Sequence, residues 1–185
     1  MSSDEGAMTT VVRETSETRV RVALGPGAGV ARVSTGERFL DHMLTTLARY
    51  AGLDLCVDAH GDLRHHLIED VAVTVGIALR TSVEGPIARL GSQIVPMDDA
   101  LVHVALDVGG RPYYRGPLPS QLYDHWMRSF SDNASATMHV RVLRGHDRHH
   151  IVEAAFKALG AALREALRSD AIESTKGPVR LEVAG

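Results

Sequence analysis

Two pentapeptides carry the residue types best suited to chemistry, His65-His66-Leu67-Ile68-Glu69 and His149-His150-Ile151-Val152-Glu153. In an α-helix, residues four apart lie on one face, while adjacent side chains diverge by about 100°. His65 and Glu69 can therefore grip one ion, as can His149 and Glu153, whereas His66 and His150 point elsewhere and serve a different ion. Imidazole with carboxylate suits manganese, iron or zinc better than calcium or magnesium, which prefer oxygen shells. Ligand type alone does not choose among the three.

The two pentapeptides belong to a longer repeat. Asp41-His42-Met43 matches Asp124-His125-Trp126, and Gly61-Asp62-Leu63-Arg64-His65-His66 matches Gly145-His146-Asp147-Arg148-His149-His150, at intervals that differ by one residue. The symmetry of this duplication groups His65, Glu69, His125 and His150 around one ion and His42, His66, His149 and Glu153 around the other. His60, His103, His139 and His146 have no histidine counterpart and read as surface or strand residues.

The elements that must position these groups follow from periodicity. Alternation over residues 10–24 and 53–59 predicts strands, and helical spacing predicts helices over 37–51, 65–83, 121–131 and 148–168. Residues 100–107 and 111–115 read as two strands around a hairpin turn at Gly109-Gly110, and 137–143 as a further strand. One half alone leaves a sheet face uncovered, and packing two halves buries both. The division expected is a flexible N-terminus at 1–9, a first α+β half at 10–92, a second at 93–178 and a tail at 179–185.

The 185 residues suffice for a sizeable core, with 44% hydrophobic and 23% charged residues. A formal charge of -3 provides no basic field for nucleic acid. Cys56, the single cysteine, forms no internal disulfide. No apolar run reaches membrane-spanning length and the N-terminus lacks a secretion signal, so a cytoplasmic location is expected.

Phe39-Leu40-Asp41-His42-Met43-Leu44, both histidine pairs, Leu106-Asp107-Val108-Gly109-Gly110-Arg111-Pro112-Tyr113 and Ser174-Thr175-Lys176-Gly177 together resemble the imidazoleglycerol-phosphate dehydratase family of histidine biosynthesis. The resemblance runs from about residue 10 to 178. It implies an α+β fold, a tandem duplication of a four-stranded sheet with helices on one face (ribosomal protein S5 domain 2-like). It also implies two Mn2+ ions at subunit contacts and a cage of twenty-four subunits built from trimers. The implied reaction is loss of water from imidazole glycerol phosphate, giving imidazole acetol phosphate. The hydrogen removed is not acidic, so charge must be stabilised on the ring, and metal ions on the ring nitrogens favour that.

The resemblance makes the eight residues already grouped the metal ligands and Glu14 the acid/base group. It assigns the substrate phosphate to Arg89, Arg111, Lys157, Ser174 and Lys176, whose guanidinium, ammonium and hydroxyl groups donate to phosphate oxygens. The chain departs from the family pattern before His65, where about three residues and an Asp-Asp pair are missing. That removes acidic neighbours able to orient metal-binding histidines. Leu67, Tyr50 and Asp99 stand where Thr or Asn, His, and Glu are usual. The competing readings are another metal-dependent lyase or hydrolase acting on a phosphorylated heterocycle, and a non-catalytic metal-binding cage protein.

Overall fold

The computed structural model describes residues 8–169. Twelve elements follow in order: β1 (Thr9–Glu14), β2 (Thr18–Pro26), β3 (Ala31–Ser34), α1 (Arg38–Ala51), β4 (Leu53–Gly61), α2 (Arg64–Ser82), β5 (Leu90–Met97), β6 (Ala100–Val108), β7 (Tyr113–Arg115), α3 (Gln121–Asn133), β8 (Ala136–Arg144) and α4 (Arg148–Ala166). They form two four-stranded sheets of matching order, β1-β2-β4-β3 and β5-β6-β8-β7. The duplication read from the histidine motifs is thus a duplication of the fold. The second sheet begins at Leu90, inside the span assigned to the first half.

Gly109-Gly110 does not close a hairpin. β7 runs parallel to β8, with Tyr113 opposite Thr137, and it lies at the sheet edge away from β6. Parallel neighbours need a crossover, and α3 provides it, as α1 does between the parallel β3 and β4. β5 was not legible as a strand because its outward residues include apolar Leu90 and Ile94 and it contains Pro96. Its place at a sheet edge tolerates that proline.

Inward alternation places Val20, Val22 and Leu24 of β2, and Val102, Val104 and Leu106 of β6, against the helices. The four helices lie between the sheets: α1 packs on α4 and α2 on α3, pairings that the repeat interchanges. α2 is therefore covered on more than one side and buries Leu67, Ile68, Val71, Val75 and Leu79. Each such side chain contributes about 1.5–3 kcal/mol.

Equivalent glycines set the closeness of both helix pairs. A Cβ on Gly76 would stand 2.8 Å from the Phe130 carbonyl oxygen, and one on Gly160 would stand 2.7 Å from that of Leu47. Alanine gains about 1 kcal/mol in helix propensity, but overpacking against backbone costs about 1–3 kcal/mol. Gly76→Ala and Gly160→Ala are each expected to lower the thermal midpoint, measured by calorimetry. A raised midpoint in either would contradict close helix contact as the reason for the glycine.

Candidate metal centre and substrate pocket

α2 and α4 begin where β4 and β8 end, so each histidine pair projects from the first turn of a helix held by its own sheet. The N-cap of α4 is Asp147, whose carboxylate accepts from the His149 N–H at 2.7 Å. α2 begins after the shortened segment at Leu63, which provides no side-chain cap. Its start is tied down instead by Arg64, whose Nε donates to Glu37 at 2.7 Å. Asp70, one residue beyond Glu69, holds α2 to the first sheet through Arg13, at 2.5 Å, and Thr18.

Three of the four residues grouped for each ion converge within the chain. His65 Nε2 lies 3.5 Å from Glu69 Oε2, and His125 Nε2 lies 3.2 Å from Glu69 Oε1. One ligand atom from each of these residues falls within 4.8 Å of the others. In the second group, His149 Nε2 and His42 Nε2 lie 3.3 and 3.5 Å from Glu153 Oε2. The two groups are built alike, α2 with α3 and α4 with α1, as the repeat requires.

The first donor set fits a divalent ion. His125 Nε2 is buried and makes no hydrogen bond among the described residues, so a nitrogen costly to leave unpaired faces the carboxylate of Glu69. A cation between the imidazoles and that carboxylate satisfies all three.

His66 and His150 sit apart from the groups that the repeat assigned them to. His66 Nδ1 is 3.1 Å from Asp62 Oδ1 and 3.4 Å from Glu17 Oε2, and His150 Nδ1 is 2.7 Å from Asp99 Oδ1. Hydrogen bonding to Asp62 raises the His66 pKa, and Asp99 does the same for His150. Asp99 itself is held far below the usual carboxylate range, chiefly by the His146 N–H and then by the His150 ring. Carboxylates on Nδ1 fix each ring's orientation in the manner of outer-shell partners at metal sites. The shortened segment therefore keeps an acidic partner, Asp62, where its loss was expected. Glu17 and Asp62 were not picked out from the sequence, because Glu17 lies far along the chain from His66 and a carboxylate such as Asp62 before a helix is ordinary.

A pocket of about 300 Å³ opens beside the second group, lined by His42, Arg49, Tyr50, Glu153 and Lys157 among others. Lys157 Nζ donates to Glu153 Oε1 at 2.9 Å and to Met97 Sδ at 3.0 Å, and lies 6.0 Å from the Tyr50 ring centroid. Burial pushes the Glu153 carboxyl up, but Lys157 and His42 outweigh it and hold it below its ordinary value. The repeat places Val73, Asp132 and Asn133 at the positions of Lys157, Arg49 and Tyr50, so the first group has no such basic lining.

The remaining candidates are dispersed. Arg89 has a left-handed backbone, φ 66°, and Asp107 grips its guanidinium from Nε at 3.2 Å and Nη2 at 3.1 Å. Its N–H donates to the carbonyl of Ala166, the last residue of α4 and nine residues beyond Lys157, about 13 Å along the axis. Arg111 is exposed in the turn before β7. Glu14 ends β1 on the outer face of its sheet, 3.7 Å from Arg19, and touches neither group. Ser174 and Lys176 lie outside the described residues.

The family model described as imidazoleglycerol-phosphate dehydratase matches residues 35–163. Curated proteins of that name are similar along most of the chain. The one from Desulfitobacterium hafniense is 45% identical, covering 90% of this chain and 95% of its own length. That from Methanothermobacter thermautotrophicus is 46% identical, covering 89% and 94%. Among solved structures, IGPD from Pyrococcus furiosus, in complex with (S)-C348, superposes with a TM-score of 0.83 at 40% identity, covering 91% of this chain and all of the other. Imidazoleglycerol-phosphate dehydratase from Staphylococcus aureus gives 0.80 at 30% identity, covering 88% and 99%.

Proposed function

The chain belongs to the imidazoleglycerol-phosphate dehydratase family, and from that premise we propose that it works as a cytoplasmic hydro-lyase of histidine biosynthesis with two divalent ions, Mn2+ for preference. It converts imidazole glycerol phosphate to imidazole acetol phosphate. The observation that carries the metal assignment is the convergence of His65, Glu69 and His125, with the His125 nitrogen buried and unpaired; His42 and His149 approach one oxygen of Glu153 in the more open second group. A divalent ion held there supplies Lewis acidity to the ring nitrogens of the substrate.

The chain's own residues do the rest. Lys157 and Arg49 place positive charge in the pocket beside Glu153 and suit a phosphorylated substrate. Arg89 is anchored about 13 Å along α4 from Lys157 and its guanidinium is held by Asp107, which supports a site assembled from more than one subunit. His66 and His150, presented away from their own groups on carboxylate-held rings, supply the fourth ligands to neighbouring copies in this reading, and a cage of twenty-four subunits built from trimers is the assembly we propose. A carboxylate moves the proton between carbon and departing hydroxyl, with Glu14 assigned that role. Glu17 is the second reading, favoured by its 3.4 Å approach to His66.

Purified protein with Mn2+ and imidazole glycerol phosphate is expected to form imidazole acetol phosphate, and absence of that product would sink the assignment. Glu14→Gln should lower turnover by roughly 10²–10⁴-fold while metal content and particle size stay unchanged. Should Glu17→Gln do so instead, the proton-transfer role passes to Glu17.

A further inference from the structure

We propose that Lys157 makes the two metal groups unequal, so that the α2/α3 group takes its divalent ion more tightly than the α1/α4 group, an inequality that rests on the reading of both as metal sites. The halves are near copies in ligand type but differ in what else touches the carboxylate. Glu69 turns one oxygen to each histidine, Oε2 to His65 at 3.5 Å and Oε1 to His125 at 3.2 Å. Both donor atoms face the ligand set.

Glu153 cannot do the same, because its Oε1 is taken by the Lys157 ammonium at 2.9 Å. His42 and His149 are left to share Oε2, at 3.5 and 3.3 Å. Their ring centroids stand 6.5 Å apart, against 5.4 Å for His65 and His125, so the second group is also the more open. The repeat puts Val73 where Lys157 stands, eight residues after the first histidine of each pair.

An ammonium on the carboxylate cancels the charge that draws a cation and occupies one of its two donor atoms. Glu153 is the more buried glutamate, at 9% side-chain exposure against 37% for Glu69, and burial alone would strengthen its hold on a cation. Lys157, at 16%, is buried with it, however, so an arriving ion meets a nearly neutral pair. A unit charge within a few ångströms of a divalent ion, at an effective dielectric constant near 20, changes affinity by about tenfold or more even after solvent screening.

The test is a Mn2+ titration of chelated full-length protein, with free Mn2+ followed by electron paramagnetic resonance. Two equally numerous classes of site are expected, differing in affinity by about tenfold or more. Lys157→Met should tighten the weaker class by about tenfold. Val73→Lys, on a half-buried face of α2, should weaken the tighter class. A single class in the unsubstituted protein, or two classes that neither substitution moves, would overturn the inequality. Uptake of no Mn2+ at all would overturn the metal reading itself, and the inequality with it.

Discussion

Glu69→Gln and Glu153→Gln are expected to cost the same in catalysis and very different amounts in stability. Each removes the only carboxylate of its group, and turnover should fall on the order of 10³-fold, beyond the 10–100-fold usual for outer-shell partners of a metal ligand. Their surroundings differ. Glu69 is more than a third exposed and its described partners are two histidines, so in metal-free protein its neutralisation should cost under about 1 kcal/mol. Glu153 is buried against Lys157, and glutamine there leaves a largely buried ammonium without a counter-charge. Breaking such a pair costs roughly 3–5 kcal/mol, and the glutamine carbonyl recovers part of it, so about 2–3 kcal/mol is expected. For a chain of this size that lowers the thermal midpoint by roughly 5–10 °C. Calorimetry on the two chelated variants measures the difference, and equal midpoints would contradict the structural role given to the Glu153–Lys157 pair.

Stripping divalent ions should abolish turnover and shrink the particle, with both restored by Mn2+. Within one chain three of the four ligands proposed for each ion come together, while His66 and His150 are turned away and held on Nδ1 by Asp62 and Asp99. If those histidines complete the ion shells of neighbouring copies, metal binding and subunit contact stabilise each other by mass action. His66→Ala and His150→Ala should then weaken assembly even with Mn2+ present, while leaving each monomer's fold intact. Light scattering reads the particle size directly. One unchanged size with and without chelator would rule out shared ligands.

The candidate site was partly legible because helical spacing is a local property. His65 with Glu69 and His149 with Glu153 are pairs four residues apart, and once α2 and α4 form, backbone geometry brings each pair together. The recruitment of His125 and His42 was legible for another reason. The Asp-His motifs repeat in register with the histidine pairs, and a repeat has to use equivalent residues in equivalent ways. Nothing comparable marked Glu17, Asp62 or Asp107. They lie in turns or at a strand end, and a carboxylate there is ordinary until another element brings a histidine or an arginine to it.

The sequence by itself therefore determined that the chain is an internal duplication, that it carries two His-His-x-x-Glu helices in equivalent places, and which family it resembles, since all three reside in patterns local to the chain or repeated along it. Strand partnership was decided only by the tertiary structure. β7 joins β8 and leaves β6 because a helix carries the chain across the sheet, and periodicity within a strand says nothing about its neighbour. Tertiary packing also decided how deeply each of the two similar groups is buried. Lys157 meets Glu153 as a pair four residues apart on α4, a difference from Val73 that is local to the chain. But α4 packs on α1 and β5 and so buries that pair with Met97 against the ammonium, whereas Glu69 stays more than a third exposed. Which atoms meet across elements, and how far water is kept from them, depends on the packing of the elements, and spacing along one helix says nothing about either.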